Sequence, residues 1–226
     1  MKRIDLNVDI GEGFGFDREL LNFATSANVC AGEHAGSWEA TRETIQLCLE
    51  AGVRIGMHPG YPDREGMGRT SMRPEQAEFF GESVARQVER FYFFVPAAYL
   101  KPHGALYNDA AGDSAAALMA RPIIENACRR FQLPLMGLPG TAMEVIAPAG
   151  FIREGFADRA YGADGRLMPR SEPGAVLTSE TEIRRQTLAL ADRVDSICLH
   201  GDTPGCVGFA ERVYAALLDA GYEVGI

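Results

Sequence analysis

Short apolar runs alternate along the chain with longer amphipathic segments. Runs at 3–9, 27–31, 53–57, 97–100, 134–137, 151–154, 196–199 and 223–226 are predicted strands. Several are almost continuously apolar, the pattern of parallel strands covered on both faces. The helix ends between them are legible. Ser37 is placed to cap a helix over 38–51, with Gly52 as its left-handed stop. Pro74 suits the first turn of a helix running to about residue 93, because the N–H it lacks has no intrahelical partner there. Asp113 is expected to cap a helix over 114–131, which Pro122 should kink or divide. Ser179 caps one over 180–192, and Pro204 opens the last, over 205–220. Repeated strand–helix units imply parallel strands with right-handed crossovers. An open doubly wound sheet and a closed barrel both satisfy this pattern. Units of unequal length in one domain favour an α/β fold of the (β/α) barrel type.

The 226 residues suit such a barrel, and a hydrophobic share of 46% excludes a disordered chain. The formal charge of −9 offers no broad attraction to phosphate backbones or anionic lipid, which argues against nucleic-acid and membrane-surface partners. The longest apolar stretch, 91–100, contains Pro96 and is half the length of a membrane span. The N-terminus reaches Asp5 before any apolar stretch forms, so a cytoplasmic location is expected. Cys30, Cys48, Cys128, Cys198 and Cys206 form no C-x-x-C pair and read as small buried thiols.

The candidate chemistry collects after the strands. All four histidines, His34, His58, His103 and His200, lie within three residues after strand candidates, and each precedes a glycine by at most two residues. In parallel α/β folds the strand C-termini form the ligand face. Alternation on the first strand puts Asn7 and Asp9 on one side, toward a barrel interior. The chain uses only two lysines, Lys2 and Lys101. Lys101, between a strand and His103, is therefore a candidate for work that guanidinium cannot do. Asp158 and Arg159 follow the sixth strand, and Arg170 lies in the irregular segment over 159–178, whose length suits a functional loop. Tyr61, Asp63, Arg64 and Arg69 fill a Gly- and Pro-rich loop that could form part of a lid, while the aromatics at 91–94 read as helix core. Glycines 11, 13 and 15 lack the spacing of a dinucleotide loop, and no P-loop motif occurs.

Residues 7–12 (NVDIGE), 26–36 (SANVCAGEHAG), 56–69 (GMHPGYPDREGMGR), 101–108 (KPHGALYN), 156–175 (FADRAYGADGRLMPRSEPGA) and 198–202 (CLHGD) resemble, in order and over nearly the whole chain, the LamB/YcsF family of 5-oxoprolinase A subunits. The resemblance implies a barrel of about seven parallel strands, related to the glycoside hydrolase/deacetylase fold, with 223–226 as a peripheral strand. It also implies ATP-dependent opening of 5-oxo-L-proline to L-glutamate with separate subunits B and C, ATP arriving with Mg2+. Residues and resemblance together nominate Asp9, His34, His58, Lys101, His103 and His200 as catalytic. Asn7, Glu12, Asn28, Asp158, Arg159, Arg170 and Asp202 are nominated for substrate or phosphate. In that scheme Asp9 with His34 or His58 activates water or holds a cation. Lys101 and His103 neutralise developing charge, Arg159 or Arg170 grips the substrate carboxylate, and His200 pairs with Asp202. Where the family has C-G-F-H-A-G-D, this chain reads A-G-E-H-A-G-S, with a buried-looking Glu33 and with Ser37 in place of an acid. Two other readings fit the residues: a metal-dependent amide or acetyl hydrolase using Asp9, His34 and His58 as ligands without ATP, and a non-catalytic binding subunit. Metal identity and homo-oligomerisation are left open.

Overall fold

The computed structural model describes residues 2–226. In chain order the elements are β1 (Lys2–Ile10), α1 (Asp17–Leu20), β2 (Ser26–Cys30), α2 (Trp38–Ala51), β3 (Arg54–His58), α3 (Ala77–Phe94), β4 (Tyr99–Leu100) and α4 (Gly104–Ala111). There follow α5 (Ala115–Phe131), β5 (Leu135–Gly137), β6 (Phe151–Phe156), α6 (Glu180–Leu190), β7 (Ser196–His200), α7 (Cys206–Asp219) and β8 (Tyr222–Val224). Each of β2 to β6 pairs in parallel with the next strand, and β1 pairs with both β7 and β2, closing a seven-stranded barrel. β8 lies outside it, beside Lys2–Ile4 of β1, where β2 does not reach.

On β1, Leu6, Val8 and Ile10 are at most 1% exposed and lie in the apolar layer between strands and helices. Burying each such side chain contributes about 1.5–3 kcal/mol relative to exposure. Because that outer layer supplies the apolar burial, the interior can carry polar groups. Asp5 at its floor accepts from Ser26, Thr25 and Ser196 hydroxyls at 2.5–2.7 Å and meets Arg54 at 3.1 Å. Gly56 makes room above: a Cβ there would stand 2.2 Å from the Tyr99 ring. Its absence lets the Tyr99 phenol cross the barrel and donate to Asn28 at 2.7 Å.

Ser37 caps α2 by accepting from the Ala40 N–H at 3.1 Å, and Gly52 ends the helix at φ 68°. Two expectations need correction. Ser114, not Asp113, holds the cap position of α5; Asp113 binds Arg166. Pro122 does not divide α5, because it sits on the solvent side, where water can satisfy the carbonyl that loses its partner. α1 and α4 were not foreseen. Among the described residues no helix is long and apolar enough to cross a membrane.

Candidate active site

Parallel register fixes which strand ends meet. Asp9 lies beside Asn28 on β2 and His200 on β7, and Cys30 lies beside His58. Asn28 donates its amide to Asp9 Oδ1 at 2.7 Å and to Asn7 Oδ1 at 2.6 Å, while Asn7 donates to Ser196 at 2.7 Å. The two asparagines therefore orient Asp9 from within the barrel.

Lys101 is the hub. Its ammonium lies 2.7 Å from Asp9 Oδ1, 2.7 Å from Glu154 Oε1, 3.1 Å from Cys198 Sγ and 3.4 Å from Asn7 Oδ1. Burial alone disfavours the ammonium, but Asp9 and Glu154 outweigh it and hold Lys101 well above its ordinary range. Burial likewise pushes Asp9 up, yet Lys101, His58 and His200 keep it ionised well below the usual carboxylate range. Glu154 goes the other way: burial raises it and Lys101 offsets this only in part.

Beside this hub His58 meets the His34 and His103 rings edge to face. His58 Nε2 is 3.0 Å from His103 Nδ1 and 3.4 Å from Asp9 Oδ2. His34 stacks flat on His103 with centroids 3.8 Å apart. Glu12 Oε1 lies 3.3 Å from His103 Nδ1 and 3.5 Å from His34 Nε2. Burial drives His34 down to about 3 and also lowers His103, so these rings are neutral near pH 7.

On the far side His200 and Asp158 form a second unit. His200 Nδ1 donates to Asp158 Oδ1 at 2.9 Å, and the His200 backbone N–H donates to Asp158 Oδ2 at 3.0 Å. His200 Nε2 is 3.7 Å from Asp9 Oδ2. Burial lowers His200, but Asp158 and Asp9 more than compensate and raise it above the ordinary imidazole value. Asp9, His58, Lys101, His103 and His200 all line one cavity of ≈ 590 Å³, whose wall also includes Arg69, Arg159, Arg166 and Arg170. That volume falls within the range of small-molecule sites.

Several expected pairings differ. Asp202 does not partner His200; it takes Arg69 at 2.5 Å and Arg170 at 2.6 Å, leaving Asp158 to hold the imidazole. Two donors of Arg159 are committed to the Met168 and Ala175 carbonyls, so it fastens its own loop. Asp9, His34 and His58 do not converge as one ligand set, because His34 turns to Glu12 and Cys30. Glu33 is only partly buried. The loop after His58 is tied down: Tyr61 is fully buried and donates to Asp109 at 3.1 Å, and Arg64 donates to the Gly32 and Gly36 carbonyls. Only Arg69 of that group reaches the cavity. Of the aromatics at 91–94, Phe91 is core whereas Phe93 is 86% exposed.

Glu154 was missed. Its signal was available as a lone acid at the end of an apolar strand, two positions before Phe156 and four before Asp158 on the same face. Cys30 and Cys198 are buried thiols as expected, but both touch site residues.

The LamB/YcsF family model matches residues 4–225. The 5-oxoprolinase A subunit of Neisseria meningitidis is 41% identical over 245 aligned residues, covering 99% of each chain. Its counterpart from Streptomyces coelicolor is 42% identical over 250, covering 98% of each. The crystal structure of a lactam utilization protein from Thermus thermophilus superposes with a TM-score of 0.80 at 33% identity, covering 100% of this chain and 99% of that one.

Proposed function

The chain belongs to the LamB/YcsF family, and from that membership we propose that it is the A subunit of a 5-oxoprolinase, opening 5-oxo-L-proline to L-glutamate in an ATP-dependent hydrolysis shared with subunits B and C. The observation that carries this reading is the 41% identity, spanning 99% of both chains, to a protein of that name.

A lactam amide is resonance-stabilised. Its hydrolysis needs a directed water, relief of negative charge on the carbonyl oxygen, and a proton for the departing nitrogen. In this reading the ring lies in the cavity with its carboxylate at Arg69 and Arg170, whose forked donors suit planar oxyanions. Asp9, kept ionised, orients the attacking water. Lys101 fixes Asp9 and places the nearest buried cation beneath the site. His200, carrying a proton at Nε2, gives it to the ring nitrogen as the C–N bond breaks, while Asp158 steadies the imidazolium. ATP, with Mg2+, is the co-substrate: its γ-phosphoryl passes to the lactam oxygen with release of ADP. The directed water attacks the ring carbon of the activated imidate so formed, the opened chain leaving as glutamate and the phosphoryl group as inorganic phosphate.

The test measures glutamate and ADP released from 5-oxoproline plus ATP by this chain alone, by subunits B and C alone, and by the mixture. Glutamate and ADP in equal amounts from the mixture only are the expected result. A mixture no faster than B and C alone contradicts the assignment.

A further inference from the structure

His58 Nδ1 lies 2.8 Å from the Lys101 carbonyl, and His103 Nε2 lies 2.8 Å from the Met67 carbonyl. A carbonyl oxygen only accepts, so both ring nitrogens carry their protons there. The second ring nitrogens, His58 Nε2 and His103 Nδ1, face each other at 3.0 Å, and an imidazole with a single proton has only a lone pair to offer there. A third acceptor points at the same place: Glu12 Oε1, buried without a hydrogen-bond partner, 3.3 Å from His103 Nδ1. One proton shared by the rings would still leave the Glu12 oxygen unpaired. A cation placed among the three satisfies all of them.

We propose that Glu12, His58 and His103 bind a single divalent transition-metal ion of the Zn2+ class. Ligating histidines characteristically donate their second ring N–H to a backbone carbonyl or carboxylate, the arrangement both rings show. Two nitrogens and a carboxylate oxygen form a borderline donor set that suits zinc and its neighbours better than magnesium or calcium. With ligands at 2.0–2.1 Å, a tetrahedral ion separates its donors by ~3.3 Å. The spacings of 3.0 Å and 3.3 Å already lie close to that. His34 Nε2 lies 3.5 Å from the same Glu12 oxygen and converges on the same place. Because His58 and His103 also line the cavity, an ion held there can polarise an oxygen or a water in it. The other convergent set, Asp9 with Cys198 and His200, is a poorer host, since the Lys101 ammonium already stands 2.7 Å and 3.1 Å from two of its members.

The test uses the full chain, stripped by a chelator and titrated calorimetrically with Zn2+, Co2+ and Mn2+, so its readout does not depend on turnover. One Zn2+ per chain is expected, with affinity at least 10-fold weaker in Glu12→Gln and in His103→Asn, and unchanged in His200→Gln. Circular dichroism melts identify any variant that fails to fold. Anomalous diffraction at the zinc edge should place the ion among the three ligands and remains decisive if both variants misfold. Absence of stoichiometric binding, variants that bind as tightly as the wild type, or a peak at Asp9, Cys198 and His200 would overturn the proposal. None of these outcomes bears on whether the lactam reading holds.

Discussion

Replacing Lys101 with methionine is expected to destabilise the protein by about 3–5 kcal/mol and to abolish turnover in the reconstituted complex. Methionine approximates the aliphatic stem but removes the ammonium, stranding Asp9 and Glu154 together in a buried site. Glu154, already held above the ordinary carboxyl range, should take up a proton in response, which relieves part of the cost but leaves Asp9 without its main partner. Lys101→Arg is the sharper control. A guanidinium has the charge but not the compact shape that fits between Asp9, Glu154 and Cys198, so it should restore little activity. Urea unfolding and glutamate release read the two effects separately. Near-normal turnover in Lys101→Arg would show that charge alone suffices at this position.

His200→Gln should lower kcat by about 10²–10⁴-fold with the fold intact, the usual worth of a positioned proton donor. The wild-type pH profile carries a sign. His200 sits above the ordinary imidazole value of 6.5, so it keeps its proton to higher pH than a free imidazole and loses it as pH rises past the raised value. Activity that depends on the imidazolium is therefore full on the acid side and falls on the alkaline side, with a midpoint above 6.5. The ion pair's contribution to stability fades over the same window. The charges facing the ring come from Asp158 after β6, Asp9 on β1 and the more distant Arg170, of which Asp158 acts most strongly. Asp158→Asn should accordingly shift the alkaline limb of the kcat profile to lower pH. A limb that stays put in Asp158→Asn assigns the proton to another group.

The strands were legible because their apolar runs are short, bounded and nearly continuous, and a parallel α/β fold followed from their repetition with helices. Closure itself was not: an open sheet and a barrel differ only in whether β1 also meets β2, a pairing no local pattern encodes. α4 escaped because it begins directly at Gly104 after His103, without the capping side chain that marked α2. The histidines stood out by their position after strands, yet their partners did not. Asp202 is two residues from His200 in sequence, whereas Asp158, on the neighbouring strand's exit, is the residue within reach. Spacing along β6 marked Glu154 as facing inward with Phe156, but its partner Lys101 lies two strands away and was not readable from the chain.

The claim that the lactam is opened at this end of the barrel is tested most directly by a crystal structure of the assembled complex with 5-oxo-L-proline bound. The ring nitrogen should lie ~3 Å from His200 Nε2, with the carbonyl carbon facing Asp9 and the carboxylate at Arg69 and Arg170. An ordered lactam held on a partner subunit or another face of the barrel, in a complex that turns over, would contradict it.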